Sequence, residues 1–411
     1  MAPDGERSLD DAGRRALWAV FVATFFVRFS FGTTIAVFVS YITGHGTGLS
    51  PSEIGVAGMV SAMAPLGEFS TVLLSGAAAD RWGRFPVLFG GMAGGVVLFL
   101  VVASTRSPLA LGTANFLFGI ASGAILAASL AVVGDRAGSD ERGLEMGRFD
   151  AVNLFGWVGG YAFGLGLAGL LPNRDLGSVF VVGAVALAVG LFVAARLIRS
   201  TPVAPIRTSF SLRTVLGSAF RTTVLVVTLP WLVIYCLIGT ALAFLRPAAS
   251  GVGIGTGYLA LAIGAGGALL VLTQPFFGRL ADRTGRTRMM TVGAAGFILV
   301  LLFASLLIAV GPAGPLLVAL GLSVIPALAY GPAALAALAD LTRELSRATT
   351  MAVYSLTISL GMFVGLFAST ALIARYGDPG LYPFFGAIAV VLAALTAVRW
   401  REARRATIPV R

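Results

Sequence analysis

The chain has 411 residues, of which 57% are hydrophobic and 11% charged, with a net charge of +11. A soluble domain carries about 25% charged residues, so this balance excludes a soluble enzyme, a disordered chain and a coiled coil, and leaves a polytopic membrane protein. All 29 basic residues are Arg, and no basic stretch stands apart from a hydrophobic segment; the excess fits cytoplasmic loops and speaks against a nucleic-acid surface.

Twelve apolar runs follow in chain order: about 17–43, 54–78, 85–104, 108–134, 148–171, 177–198, 223–246, 254–278, 289–311, 315–340, 348–374 and 381–399. Each is long enough to cross a bilayer core as a helix. The first is too long for a signal-peptide core and reads as a retained span. Ser50, Pro51, Ser52 and Glu53 supply cap chemistry before the second. Runs three, six, nine and twelve are apolar on all sides, as lipid-facing helices are. With the N-terminus inside, twenty-four Arg fall in cytoplasmic segments, four outside (Arg106, Arg174, Arg246 and Arg375) and Arg28 within a span. That asymmetry predicts both termini cytoplasmic and an even number of spans. The expected organisation is a cytoplasmic segment 1–16, a six-helix bundle 17–198, a cytoplasmic central loop 199–222, a second six-helix bundle 223–399 and a tail 400–411.

The two halves repeat. Gly76-x-x-x-Asp80-Arg81-x-Gly83-Arg84 recurs as Gly278-x-x-x-Asp282-Arg283-x-Gly285-Arg286, and Asp135…Arg142…Met146 recurs as Asp340…Arg347…Met351. Parallel repeats with a binding site at their interface are a transporter architecture. The glycines permit a tight turn between helix ends, and the charges can pair with carboxylates on neighbouring helix ends or with lipid phosphates. Both copies resemble the signature loop of the major facilitator superfamily, although Phe85 stands in the first where a basic residue is usual. The resemblance covers the whole chain. It implies an all-α membrane protein of twelve transmembrane helices in two pseudo-symmetric six-helix bundles, alternating access, and gating by the loop residues just named.

Ionisable residues inside spans are functional candidates. Counting along the helices puts Arg28 about 15 Å and Glu68 about 18 Å from the cytoplasmic side, so the two can meet. Glu68 would be the titrating partner, because Arg does not usefully deprotonate. Such a pair is either a static structural pair or a site where a proton or an anionic group competes. Asp150 opens the fifth span as either a helix cap or a proton site, with Asn153 one turn above on roughly the same face. The repeat aligns Asp150 with Ser355, Glu68 with Leu270 and Arg28 with Tyr235, so the second half lacks all three charges; Trp231, Tyr235, Gln274 and Tyr354 are its possible lining groups.

Gly147, Gly156, Gly160 and Gly164 resemble the antiporter motif of the drug-export branch, with Tyr161 and Leu165 as departures. Their physical role would be close helix packing. Asp150 is similar to the membrane carboxylate of some proton-driven multidrug exporters. In span four Asn115 stands where such exporters carry Arg, so a proton-relay role does not transfer to it. The expected function is secondary active transport, with proton-coupled efflux of lipophilic or cationic small molecules favoured. The alternative is transport of an organic anion or other polar solute bound by Arg28, and a non-transporting receptor is a third possibility. The expected partners are a small-molecule substrate, protons as coupling ion and membrane lipids. A monomer in the cytoplasmic membrane is anticipated. No cofactor is implied: with no Lys there is no ATP-binding loop of the Gly-x4-Gly-Lys type, His45 is the only His, Cys236 the only Cys, and no catalytic or metal site is expected.

Overall fold

The computed structural model describes residues 11–44, 50–136, 142–171, 175–198, 217, 220–251, 253–311, 313–341, 347–377 and 380–406. His45, most of the central loop, the segment 1–10 and the end of the tail lie outside the described residues, as do the side chains of Gly76, Asp80, Asp135 and Gly147.

Among the described residues thirteen helices form: α1 Asp11–Thr43, α2 Pro51–Trp82, α3 Arg84–Ser104, α4 Pro108–Arg136, α5 Arg142–Leu170, α6 Gly177–Ile198, α7 Thr222–Gly251, α8 Thr256–Thr284, α9 Arg286–Val310, α10 Gly314–Ala327, α11 Tyr330–Leu341, α12 Arg347–Tyr376 and α13 Leu381–Ala406. All twelve expected spans fall on helices, the tenth on two. Pro326 near the end of α10 has no N–H to donate, and Leu328 and Ala329 close the break by bonding the Val324 and Pro326 carbonyls. Among the described residues eleven stretches are long and apolar enough to cross a membrane, α10 and α11 together giving one. The second expected span lies on α2, which has 32 residues.

Helix ends run past the apolar runs. α1 starts at Asp11, six residues before the expected 17, and α13 continues to Ala406. Arg and Ala favour helix, so polar flanks extend it. α2 opens with a reciprocal capping box: the Ser50 amide and hydroxyl both donate to Glu53 Oε2, at 2.8 and 2.6 Å. Large apolar side chains stay exposed along α3 (Val97, Leu100), α6 (Val185, Phe192), α9 (Leu302, Val310) and α13 (Val390, Val398), as a lipid-facing surface requires.

The described helices gather into two compact units. One spans Met1–Tyr41, Met63–Leu212 and Thr256–Gly267; the other spans Ile42–Ala62, Arg213–Gly255 and Ala268–Arg411. Within the first, α5 crosses α1 at a glycine seam: a Cβ at Gly156 would lie 2.7 Å from the Phe25 carbonyl oxygen, and one at Gly160 would overlap that of Phe29. Within the second, α12 crosses α7 in the same way, with Gly361 on the Leu232 carbonyl (2.5 Å) and Gly365 on that of Cys236. The sequence repeat therefore also holds in the packing. At the next turn Gly164 meets Thr33, whereas the second unit has Ser369, whose hydroxyl lies 3.0 Å from that of Thr240.

Candidate functional site

Arg28 sits midway along α1, beside Gly156 of α5, where the missing side chain leaves room for its base: a Cβ at 156 would come within 3.1 Å of the Arg28 Cβ. Its Nε donates to Asn153 Oδ1 at 2.7 Å. Asn153 lies one turn before Gly156, so the seam that brings the two backbones together also sets this bond.

Glu68 is delivered from the other side. Pro65 interrupts the hydrogen bonding of α2 just before it, and Gly67 and Gly119 let α2 and α4 approach until each would overlap a carbonyl of the other helix. Glu68 Oε2 accepts from the Ser122 hydroxyl at 3.1 Å and lies 3.9 Å from Arg28 Nη1. The side chains of Arg28 and Glu68 are only 13% and 12% exposed. At 3.9 Å the charges attract without a direct hydrogen bond, so Glu68 does not saturate the guanidinium.

The structure thus brings Arg28, Glu68 and Asn153 together and adds Ser122, which the sequence reading did not include. Ser122 lies in a run of small residues, Ala121-Ser122-Gly123-Ala124, and nothing in that run marks it out. Asp150 is half-buried two turns inside α5, three residues before Asn153. Because α5 begins at Arg142, Asp150 is no helix cap, and that part of the expectation is corrected. Asn115 is buried in a different crevice, with Phe31, Phe99, Phe118 and Phe180. Tyr235 belongs to the other unit, on α7, where it and Tyr354 flank Trp231 at ring distances of 6.4 and 4.9 Å.

The two signature loops share one backbone. Gly83 and Gly285 have φ of 91° and 99°, a conformation that residues with a Cβ rarely adopt, and each starts the helix that follows. In the second copy Arg286 pairs with Asp282 of its own loop at 3.6 Å, with Asp340 near the end of α11, and donates to the Ala336 carbonyl. Gly278 and Arg283 lie on the last turns of α8. In the first copy Arg81 is exposed and Arg84 half-buried. Of the α5 motif, Gly156, Gly160 and Gly164 all face α1. Among the described residues no group of three or more His, Cys, Asp or Glu could hold a metal.

Several solved structures share the fold. The nucleoside transporter NupG aligns at 15% identity over 94% of this chain and 98% of its own, with a TM-score of 0.67. The human organic anion transporter MFSD10 aligns at 17% identity over 93% and 99%, with a TM-score of 0.64. A POT family transporter in complex with 5-aminolevulinic acid aligns at 13% identity over 96% and 97%, with a TM-score of 0.71. The sequence profile of the Major Facilitator Superfamily matches residues 20–325 and 241–410. The chain belongs to the major facilitator superfamily and is a multi-pass integral membrane transporter of a small-molecule substrate.

Proposed function

We propose that the protein is a proton-coupled, alternating-access transporter of a small organic anion, with Arg28 as the anion-binding group and Glu68 as the proton carrier. The observation that supports this is the 3.9 Å Arg28–Glu68 pair, buried in a span and held loosely. A lone Arg in the bilayer centre is costly, by about 2.5–3.5 kcal/mol on insertion scales. When Glu68 takes a proton, Arg28 loses its counter-charge and an anionic solute restores it. Proton and anion therefore bind with positive coupling. A cation meets the reverse situation, because the carboxylate it would seek is already opposed by Arg28. Asn153 keeps Nε occupied in both states and leaves the terminal nitrogens for a two-point contact with a carboxylate. Both termini on the cytoplasmic side, a monomeric unit with the two bundles at 17–198 and 223–399, and gating by the two signature loops complete this reading.

A second reading rests on Asp150, half-buried inside α5 and separate in sequence from the Arg28 pair. It is proton-coupled efflux of lipophilic or cationic compounds with Asp150 as the proton site. Proteoliposomes distinguish the two. Under a pH gradient, the first reading predicts movement of p-aminohippurate that is lost in Arg28→Gln, and none of ethidium. Ethidium movement abolished by Asp150→Asn, with p-aminohippurate static, overturns the first reading in favour of the second.

A further inference from the structure

We infer that Thr24 and Trp157 bind the solute alongside Arg28, and that the solute is a monocarboxylate with a second hydrogen-bond acceptor. This inference rests on the anion reading of the Arg28 site.

Thr24 is one turn before Arg28 on α1, on the same face. It is 3% exposed, and its hydroxyl has no hydrogen-bond partner among the described residues. Thr33 and Thr34 on the same helix both bond a carbonyl of the preceding turn, at 2.8 and 3.0 Å. Thr24 forgoes that bond, and it lines a narrow crevice together with Arg28 and Ser122. A buried hydroxyl left without a partner is costly, unless a ligand supplies one.

Trp157 is one turn beyond Asn153 on α5. Its ring lies nearly parallel to Phe31, at 10° and 5.9 Å, and Phe31 is one turn beyond Arg28 on α1. Its indole Nε1 is buried and also lacks a partner among the described residues. An indole N–H can only donate, so the missing partner is an acceptor.

Thr24 and Arg28 are one helical turn, about 6 Å, apart on α1, and the Trp157 backbone meets α1 one turn further on, at Gly32. The Thr24 and Arg28 donors suit the oxygens of a carboxylate on Arg28, and the Trp157 N–H suits an acceptor further along the same molecule. With a proton on Glu68 the Arg28–Glu68 pair carries one positive charge, which a monoanion neutralises. A phosphate dianion would leave a net negative charge within the span.

The test is equilibrium exchange of p-aminohippurate, a monocarboxylate with an amide acceptor, in proteoliposomes of the full chain. Thr24→Val and Trp157→Phe keep shape and remove the donor. Each is expected to raise KM about tenfold with maximal exchange unchanged within about twofold, Thr24→Ser restores KM, and phenyl phosphate does not compete. Unchanged KM in both variants, while Arg28→Gln abolishes exchange, overturns this inference and leaves the anion reading standing. Exchange that survives Arg28→Gln overturns the anion reading itself. Thermal melting of each variant in detergent separates lost binding from lost folding; if Trp157→Phe unfolds, the Thr24 pair of variants decides.

Discussion

Arg28 and Tyr235 occupy equivalent places in the two halves. Arg28 Cβ lies 3.1 Å from where a side chain at Gly156 would begin, and Tyr235 Cβ lies 2.8 Å from the corresponding point at Gly361. The surrounding carbonyls, Phe25 with Phe29 and Leu232 with Cys236, match turn for turn. One duplicated scaffold therefore carries an ionic group in the first half and an aromatic one in the second.

Glu68→Gln fixes the side chain in a form that resembles the protonated carboxyl. Anion exchange at equal pH on both sides should persist within a few-fold, whereas acceleration by a pH gradient should fall by at least about tenfold. Flux measurements with and without an imposed gradient check this. A variant that still responds fully to the gradient would remove Glu68 from the proton path.

Asn153 accepts from Arg28 Nε at 2.7 Å and so orients the guanidinium. Asn153→Asp places a second carboxylate on that nitrogen, and a permanent counter-charge then competes with the solute. Loss of p-aminohippurate binding is expected in Asn153→Asp. Asn153→Ala should retain binding with KM raised by about tenfold, the scale of one charge-assisted hydrogen bond. Equal behaviour of the two variants would contradict the role assigned to Arg28.

Gly160 and Gly365 each face a carbonyl oxygen of the helix they cross, too near for any side chain. Gly160→Val and Gly365→Val must push two helices apart, with overpacking costs of about 1–3 kcal/mol or more. Both variants should lower the melting temperature and the yield of monodisperse protein. Gly159→Ala, where a Cβ meets nothing within 4 Å, should leave both unchanged.

Arg286 joins Asp282, Asp340 and the Ala336 carbonyl in a single cluster. Arg286→Ala removes the ion pair between the α8–α9 loop and Asp340 of α11 and should slow transport by about tenfold or more while solute affinity holds. Arg286→Lys cannot reproduce the planar fork and should recover only part of the rate. Affinity by thermal shift and turnover by flux assay separate the two effects.

The legible part of the structure was what depends on period and polarity. Twelve apolar runs, the Ser50–Glu53 cap and the repeated loop all appear where hydropathy and motif spacing indicate, because burial and capping act on a few consecutive residues. The Arg28–Glu68 pairing was legible from depth alone. The break in the tenth span was missed, since Pro326 lies in an otherwise unbroken apolar run. Ser122, Thr24 and Trp157 were not legible, because the surroundings of each depend on which helix lies opposite. The glycines of α5 also read differently in three dimensions. Gly156 and Gly160 have counterparts at Gly361 and Gly365 with the same packing role, so the pattern reflects the duplicated fold and says little about the direction of transport.

The most direct measurement uses proteoliposomes loaded with a pH-sensitive dye and no imposed gradient. Addition of p-aminohippurate outside should acidify the lumen at about one proton per anion in the wild-type protein. In Glu68→Gln the anion should still exchange, with no acidification. Anion entry without proton movement in the wild type, or acidification that persists in Glu68→Gln, would contradict the account.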